Sequence, residues 1–247
     1  MPVFTPFGFF AGGGQAVGVR IDAATSERFR RPAASIPGST GFGQTTWSFS
    51  VRRRATGTMY VHTAGQPASW GRLTIASNGK VTLFDRDTVG TKINITSNDA
   101  VPAETWTHVH VVRDITLAAA NRVKMWIDGV QSTTTNATND AGISMNFNVA
   151  FDNFVGYDAN ATAYGGGDLA LFYFLDTTAE PVTRFGDTAG TWKRKDPGTG
   201  LVYSGAGFFL DFANADDLGN DSANGLSFLE DNIDATNALG DGPELTG

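Results

Sequence analysis

The residues best placed for chemistry in this sequence are two histidines, His108 and His110, which are separated by one residue. Alternate residues of a β-strand share a face, so the two imidazole rings would lie side by side and could together bind a metal ion such as zinc. Trp106 would lie on the same face. Packing in a core or between subunits is the commoner explanation of such a pattern, and we predict no metal site at this pair.

Carboxylates are not arranged for glycoside hydrolysis. A retaining glycosidase needs two carboxyl groups about 5–5.5 Å apart, which a strand could present as Glu-x-Asp-x-x-Glu. No such motif includes any of the chain's glutamates, which are Glu27, Glu104, Glu180, Glu230 and Glu244. A serine nucleophile elbow and a phosphate-binding loop are missing as well, and the chain has no cysteine. We therefore predict that the protein is not an enzyme and binds no cofactor.

The elements that position these residues are predicted to be β-strands. The alternation of Trp47, Phe49 and Val51 with polar residues indicates a half-buried strand. Strands are predicted over residues 46–51, 71–77, 80–85, 106–112, 121–127, 130–131, 147–157, 168–176 and 206–212. Strands this closely spaced leave no room for crossover helices, so we predict an all-β chain with antiparallel sheets packed as a sandwich.

Two dipeptides predict the hairpins of this sandwich. Asn78-Gly79 separates two predicted strands and readily adopts the positive φ angles of a type I′ turn. Asp128-Gly129 makes a second tight turn between two further strands. Both turns connect neighbouring strands directly, which supports antiparallel pairing.

Charge is distributed unevenly along the 247 residues, whose net charge is −7. Residues 1–60 hold seven arginines against two acids, whereas residues 196–247 hold ten acids and no lysine or arginine. Such polarity favours contact between subunits over nucleic-acid binding, which needs a basic face. We therefore predict a homo-oligomer, specifically a trimer.

No apolar run approaches the ~18 residues that span a bilayer, so membrane insertion is not predicted, and no export signal is recognisable.

Composition divides the chain into three parts. In residues 1–19, proline and glycine prevent a regular helix, and four aromatic residues could anchor an arm to a neighbouring molecule or cap an open end of the sandwich: Phe4, Phe7, Phe9 and Phe10. Residues 20–212 hold the predicted strands. Residues 213–247 are rich in Asp, Asn and Gly, which predicts an irregular acidic segment that wraps the same domain.

Several segments together resemble known proteins. Trp106-Thr107-His108-Val109 and residues 122–131 look like the paired central strands of concanavalin A-like or laminin-G-like jelly rolls. The C-terminal half resembles lectin-like structural proteins of tailed bacteriophage virions in Phe185-Gly186 and in residues 190–193, 207–212 and 218–222. Asp241-Gly242-Pro243 departs from the Asp-Ser/Thr-Pro triplet that this resemblance leads us to expect.

This resemblance implies an antiparallel jelly-roll β-sandwich on the surface of a phage virion, made in the cytoplasm of the host bacterium. Its partners would be capsid or tail proteins, and its role non-enzymatic. We favour a head decoration or cement protein that clamps capsid subunits. The alternative is a tail or head-fibre adhesin that binds host surface glycans.

Lectin-like and laminin-G domains often hold calcium with carboxylates of their rim loops, so the resemblance makes calcium possible here. The chain offers three candidate acids for such a rim site, or for a bound glycan: Asp152, Asp158 and Asp168. Asx residues are also the standard formers of turns, and turn formation is the simpler interpretation of these three.

We predict that removing residues 1–14 leaves a folded sandwich that no longer attaches to the virion. Each phenylalanine that fills a pocket on the particle would contribute about 1.5–3 kcal/mol of apolar burial. The truncated protein is added to particles that lack their own copy, and co-sedimentation is measured. Full attachment without the arm would refute anchoring, and unfolding on truncation would favour the capping interpretation.

Overall fold

The computed structural model describes residues 18–36, 43–140, 145–187, 191–223, 225, 227–243 and 245–246. Its strands are β1 Gly18–Ile21, β2 Arg28–Arg31, β3 Gln44–Arg53, β4 Met59–Gln66, β5 Ser69–Ile75, β6 Lys80–Arg86, β7 Thr91–Ala100, β8 Thr107–Asp114, β9 Val123–Ile127, β10 Val130–Ser132, β11 Thr134–Asn139, β12 Asn153–Val155, β13 Tyr157–Asp158, β14 Ala163–Tyr164, β15 Gly167–Leu175, β16 Gly186–Asp187, β17 Lys193–Lys195, β18 Phe208–Leu210, β19 Leu229–Asp231, β20 Ala238–Leu239 and β21 Leu245–Thr246. Short 3₁₀ turns lie at Ala23–Thr25, Ala33–Ser35, Ala119–Asn121, Asn146–Asn148, Val182–Arg184 and Ala235–Asn237. In the part of the chain described, no helix is long and apolar enough to cross a membrane.

Two large antiparallel sheets pack face to face. The first sheet has the strand order β10-β9-β8-β3-β15-β1-β20, with β18 also paired to β15. The second has the order β11-β7-β6-β5-β4-β12-β2-β19. Small sheets formed by β13-β14 and by β16-β17-β21 lie outside them. This architecture confirms the predicted all-β, antiparallel jelly-roll sandwich.

Aromatic residues fill the space between the two sheets. Trp47, at the centre of β3, contacts Phe147 and Phe174 with ring centroids 5.2 and 5.3 Å apart, and all three side chains are fully buried. The indole Nε1 of Trp47 donates a hydrogen bond to Nδ1 of His62 in the opposite sheet, at 3.1 Å. The core is therefore crossed by a polar contact that fixes how the sheets face each other.

The prediction that β3 is half-buried is wrong, because a second layer covers its outer face. Arg194, in β17, donates to the Ser50 hydroxyl and to the Leu171 carbonyl at 3.3 and 2.8 Å. The ring of Trp192 stacks on His108 with centroids 4.9 Å apart. His108 and His110, for which packing rather than metal binding is predicted, are buried under this layer, at 3% and 0% exposure. They pack against aromatic rings within one chain.

The two predicted turns differ in conformation. Asp128 and Gly129 both have positive φ, at 45° and 72°, and join β9 to β10 as a tight turn. Gly79 has φ 82°, but Asn78 does not share it, so the type I′ prediction is wrong there. The strands instead end earlier and leave a four-residue loop, in which the Asn78 side chain accepts a hydrogen bond from the Lys80 amide at 3.1 Å.

The strand predicted over residues 147–157 is also largely wrong. Only β12 and the first residue of β13 form there, because the chain is diverted into a 3₁₀ turn at Asn146–Asn148. Asn146 donates from its backbone amide and from its side chain to the buried Asp85 carboxylate, each at 2.9 Å. Burial raises the pKa of Asp85 to about 7, and these donors oppose that shift.

The basic N-terminal region and the acidic C-terminal region form ion pairs with each other within one molecule. Arg28 pairs with Asp231 at 2.7 Å, and Arg52 pairs with Asp241 at 2.7 Å. The C-terminal region also adds strands to the sandwich, since β19 pairs with β2 and β20 with β1. The charge asymmetry that motivated the trimer prediction is thus at least partly neutralised by ion pairs within the monomer. The three-part division and the trimer stay predictions. Phe4, Phe7, Phe9 and Phe10 lie outside the described residues.

We predict that Gly186→Ala lowers the free energy of unfolding by about 1–3 kcal/mol, the usual cost of overpacking. A Cβ at Gly186 would overlap the indole ring of Trp192, and the backbone there does not require glycine. The matched control is Gly90→Ala, where a Cβ meets nothing within 4 Å. Urea denaturation measures both variants, and an equally small effect in the two would contradict tight packing of Trp192.

We predict that the His62 environment weakens the fold in acid. Burial lowers the pKa of His62 to about 3, the charge of Arg31 acts in the same direction, and the hydrogen bond with Asn153, at 2.6 Å, opposes the shift. In the neutral ring, Nδ1 accepts from Trp47 and Nε2 donates to Asn153. The unfolded state, with a pKa of about 6.5, therefore binds an extra proton between these values, and stability falls as pH decreases through that range. One such histidine costs about 2 kcal/mol between pH 7.5 and pH 5.

The test is urea denaturation at pH 7.5 and pH 5 of wild type and His62→Gln. The variant should lose less stability on acidification by about 2 kcal/mol. His110, with its pKa lowered to about 3 by burial, acts in the same direction, and Asp85 acts in the opposite one. Val61→Ala, a destabilised variant that keeps the histidine, serves as the control and should retain the wild-type pH dependence.

Candidate functional site

A cleft of about 420 Å³ opens at the end of the sandwich where β4 finishes. One wall is the β4–β5 hairpin, and the other is the segment that leads into β12. The residues around it are Ala33, Gly65, Gln66, Pro67, Ala150, Phe151, Asp152, Phe154 and Ala159. We call this the β4-end cleft.

The walls of the β4-end cleft are mostly apolar, with two polar side chains. Phe151 and Phe154 present aromatic surface beside Pro67 and small alanines. The Gln66 side chain is exposed and makes no hydrogen bond with another described residue. Its amide is therefore free to donate to, and accept from, a bound molecule.

The second polar group is the Asp152 carboxylate, which is held in place by three donors. Arg30 donates to Oδ2 from Nε and Nη2 at 3.0 and 2.8 Å, and the Ala33 amide donates to Oδ1 at 2.8 Å. Oδ1 keeps a further lone pair, whereas both lone pairs of Oδ2 are used by Arg30. The cleft thus combines a fixed acceptor, a free amide and apolar walls.

A second, much smaller pocket lies beside the cleft, shares Gly65, Gln66, Phe154 and Ala159 with its lining, and includes Asp158. Asp158 is 2% exposed, accepts from the Asn160 amide at 3.0 Å and pairs with Arg72 at 3.4 Å. The Arg72 guanidinium lies over the rings of Trp70 and Phe84, which stack on each other with centroids 4.6 Å apart. Asp158 therefore supports a turn and an arginine beside the cleft.

Asp168 lies elsewhere, at the end of the sandwich where β3 finishes and β4 begins. It is 6% exposed and accepts from Arg20 at 3.3 Å and from Arg52 at 2.8 Å. Asp158 and Asp168 do not lie in loops as predicted, because each is the second residue of a paired strand, β13 and β15 respectively. Asp168 also lies apart from the other two acids, and a role of the three as ligands stays a prediction.

Nothing in the described ranges brings three or more histidine or carboxylate side chains together as a metal-binding group. Each of the three carboxylates pairs with an arginine, and those of Asp152 and Asp158 also accept hydrogen bonds from backbone amides. The structure therefore identifies no calcium ligand set among these acids.

Sequence reasoning did not find Gln66, Phe151 or the stacked Trp70. The available signal was the Gln66-Pro67 dipeptide, a turn former placed between two stretches with β-strand composition. The cleft depends on residues from three distant parts of the chain, so no single local pattern contains it.

No protein-family model matches this chain, and no curated protein sequence does either. Among solved structures, a candidate carbohydrate-binding protein from Bacteroides ovatus superposes with a TM-score of 0.59 and 10% identity, over 94% of this chain and 62% of that one. A heptameric SAP-like pentraxin from Limulus polyphemus gives 0.47 and 14%, over 67% and 78% of the two chains. The LG1-3 region of the laminin α2 chain gives 0.47 and 13%, over 73% and 35%.

This chain spans less than two thirds of the Bacteroides ovatus protein, and the likeness covers almost the whole of this chain. At 10% identity, the likeness concerns the fold alone. Together with the strand order, it establishes the architecture as a lectin-like jelly roll.

Proposed function

We propose that the protein binds carbohydrate without catalysing a reaction, and that the β4-end cleft holds the sugar. The observation that carries this proposal is the free Gln66 amide facing a cleft with aromatic walls. A pyranose ring has apolar C–H faces that pack on aromatic rings and hydroxyl groups at its edge. Ligand sites of this kind combine apolar walls with a few fixed polar groups.

The polar groups of the cleft suit hydroxyl recognition. Asp152 can accept a hydrogen bond from one hydroxyl, and Gln66 can both donate and accept. Because Arg30 and the Ala33 amide hold the carboxylate, little ordering is needed when a sugar binds.

The same geometry argues against hydrolysis at this cleft. Among the described lining residues of the β4-end cleft, Asp152 provides the single carboxylate, and the carboxylate of Asp158 in the neighbouring pocket is buried against Arg72. A retaining or inverting glycosidase needs two carboxyl groups on opposite sides of the bond that breaks. Binding is therefore the activity that the residues support.

The biological setting that we propose is the particle surface of a tailed bacteriophage, on the sequence resemblance described above. The cleft favours the role of a tail or head-fibre adhesin that contacts host glycans. The alternative, head decoration through an anchoring arm, depends on Phe4, Phe7, Phe9 and Phe10, which lie outside the described residues. It stays a prediction, as do the trimer and the phage partners.

We predict that the double variant Gln66→Ala with Phe151→Ala loses at least tenfold in affinity for the glycans that wild type binds. A glycan array followed by calorimetry with the best ligand measures the loss. Gln131→Ala, which removes an exposed glutamine from β10 in the other sheet, is the matched control and should bind normally. Unchanged binding by the double variant would place the site elsewhere, and no binding by wild type to any glycan would refute the function.

A further inference from the structure

A second cavity, of about 330 Å³, lies at the other end of the sandwich. Its lining residues are Arg20, Arg52, Arg54, Glu104 and Asp168, and we call it the arginine pocket. It lies where β4 begins, whereas the β4-end cleft lies where that strand ends. Eight residues of strand separate the two ends by about 25 Å.

Two of the three guanidinium groups keep most of their donors free. Arg20 uses its Nε on Asp168, at 3.3 Å, and its two terminal nitrogens contact no described acceptor. Arg54 has one pair, with Asp22 at 3.5 Å. Their side chains are 49% and 43% exposed, so the free donors are accessible from solvent.

The third arginine has each of its three guanidinium nitrogens in an ion pair and gives the pocket its rigid base. Arg52 binds Asp168 through Nε and Nη2 at 2.8 and 2.7 Å, and Asp241 through Nη1 at 2.7 Å. Its guanidinium also lies 5.1 Å from the centroid of the Trp106 ring. Since Asp168 is shared by Arg52 and Arg20, its charge is neutralised while it orients both side chains.

The pocket offers free groups of both charges: Arg20 and Arg54 are positive, and Glu104 is negative. Arg20 and Arg54 offer N–H donors in the fork geometry that matches a carboxylate or a phosphate. Glu104 accepts from the Ala55 amide at 2.9 Å through one oxygen, and its other oxygen has no described donor. A free carboxylate oxygen suits a hydroxyl group and repels an anion.

We propose that the arginine pocket binds a sugar that carries one anionic group, a carboxylate or a phosphate. The anionic group contacts Arg20 and Arg54, and a hydroxyl group donates to Glu104. This combination distinguishes an acidic sugar from a simple inorganic anion, which meets Glu104 as a like charge. The inference does not rest on the β4-end cleft.

The test is calorimetric titration of the full chain with four probes: glucuronate, glucose 6-phosphate, glucose and inorganic phosphate. Glucuronate or glucose 6-phosphate should bind at least tenfold more tightly than glucose and than inorganic phosphate. Binding should weaken at high salt. Equal binding of glucose, or no binding of either acidic sugar, would overturn the proposal, and the two acidic probes distinguish a carboxylate from a phosphate ligand.

Variants assign the binding to named groups. Arg20→Gln and Arg54→Gln should each weaken acidic-sugar binding at least fivefold, and Arg54→Gln touches one exposed ion pair, so its fold is retained. Glu104→Gln should weaken glucuronate binding but strengthen inorganic phosphate binding, a reversal that loss of folding cannot produce. Lys193→Gln, an exposed cation outside the pocket, is the control.

The double variant Gln66→Ala with Phe151→Ala separates this proposal from the proposed function. It should bind acidic sugars in the arginine pocket as wild type does. Loss of acidic-sugar binding in that variant, with binding retained in Arg54→Gln, would overturn the second site and assign the ligand to the β4-end cleft.

Discussion

One chain of buried hydrogen bonds connects the core of this protein to its candidate binding cleft. Trp47 in the first sheet donates to His62 in the second, and His62 donates to the Asn153 side-chain oxygen at 2.6 Å. The amide nitrogen of Asn153 donates in turn to the Phe151 carbonyl at 2.9 Å. Each member can play only one role once the indole N–H has been placed, so the tautomer of His62 and the orientation of Asn153 are both determined. The wall of the β4-end cleft is therefore positioned by the contact between the sheets.

A buried arginine and its partners position the C-terminal region in a similar way. Arg31 is fully buried, donates to the carbonyls of residues 205–207 at 3.3–3.4 Å, and lies 4.0 Å from Asp221. The Asp221 carboxylate accepts from the Phe209 amide at 3.0 Å. Removing one partner of such a pair leaves an uncompensated charge in the interior, which is strongly destabilising. The requirement for compensation thus holds an otherwise irregular segment against the sandwich.

Much of the fold follows from sequence, because strands with strict alternation and short turns depend on neighbouring residues. The strands around Trp47, His108 and Met125 are of this kind. The strand predicted from Phe147 onwards failed since the Asp85 carboxylate, remote in sequence, captures Asn146. The outer layer over β3 was not foreseen for the same reason: nothing near Ser50 indicates that Arg194 will cover it.

The candidate sites show the same limit more sharply. The aspartates at 152, 158 and 168 are conspicuous in the sequence, yet their carboxylates are used by arginines that only the folded chain brings near. The free groups are instead an ordinary glutamine in a hairpin and the terminal nitrogens of two arginines. A polar group can bind a ligand only if no other residue of the folded chain already uses it, and this depends on the whole fold.

The pairing of the first strands with the last ones has a consequence for biosynthesis. β1 contacts β20 through Val19 and Ala238, and β2 contacts β19 through Phe29 and Glu230, so both sheets need residues made much later than their partner strands. A chain emerging from the ribosome keeps the edges of β1 and β2 open until β20 and β19 have been made. Contacts of such long sequence separation form slowly, because the intervening loop must first be closed. During that interval the nascent chain exposes unpaired strand edges, the surface on which two incomplete copies would associate.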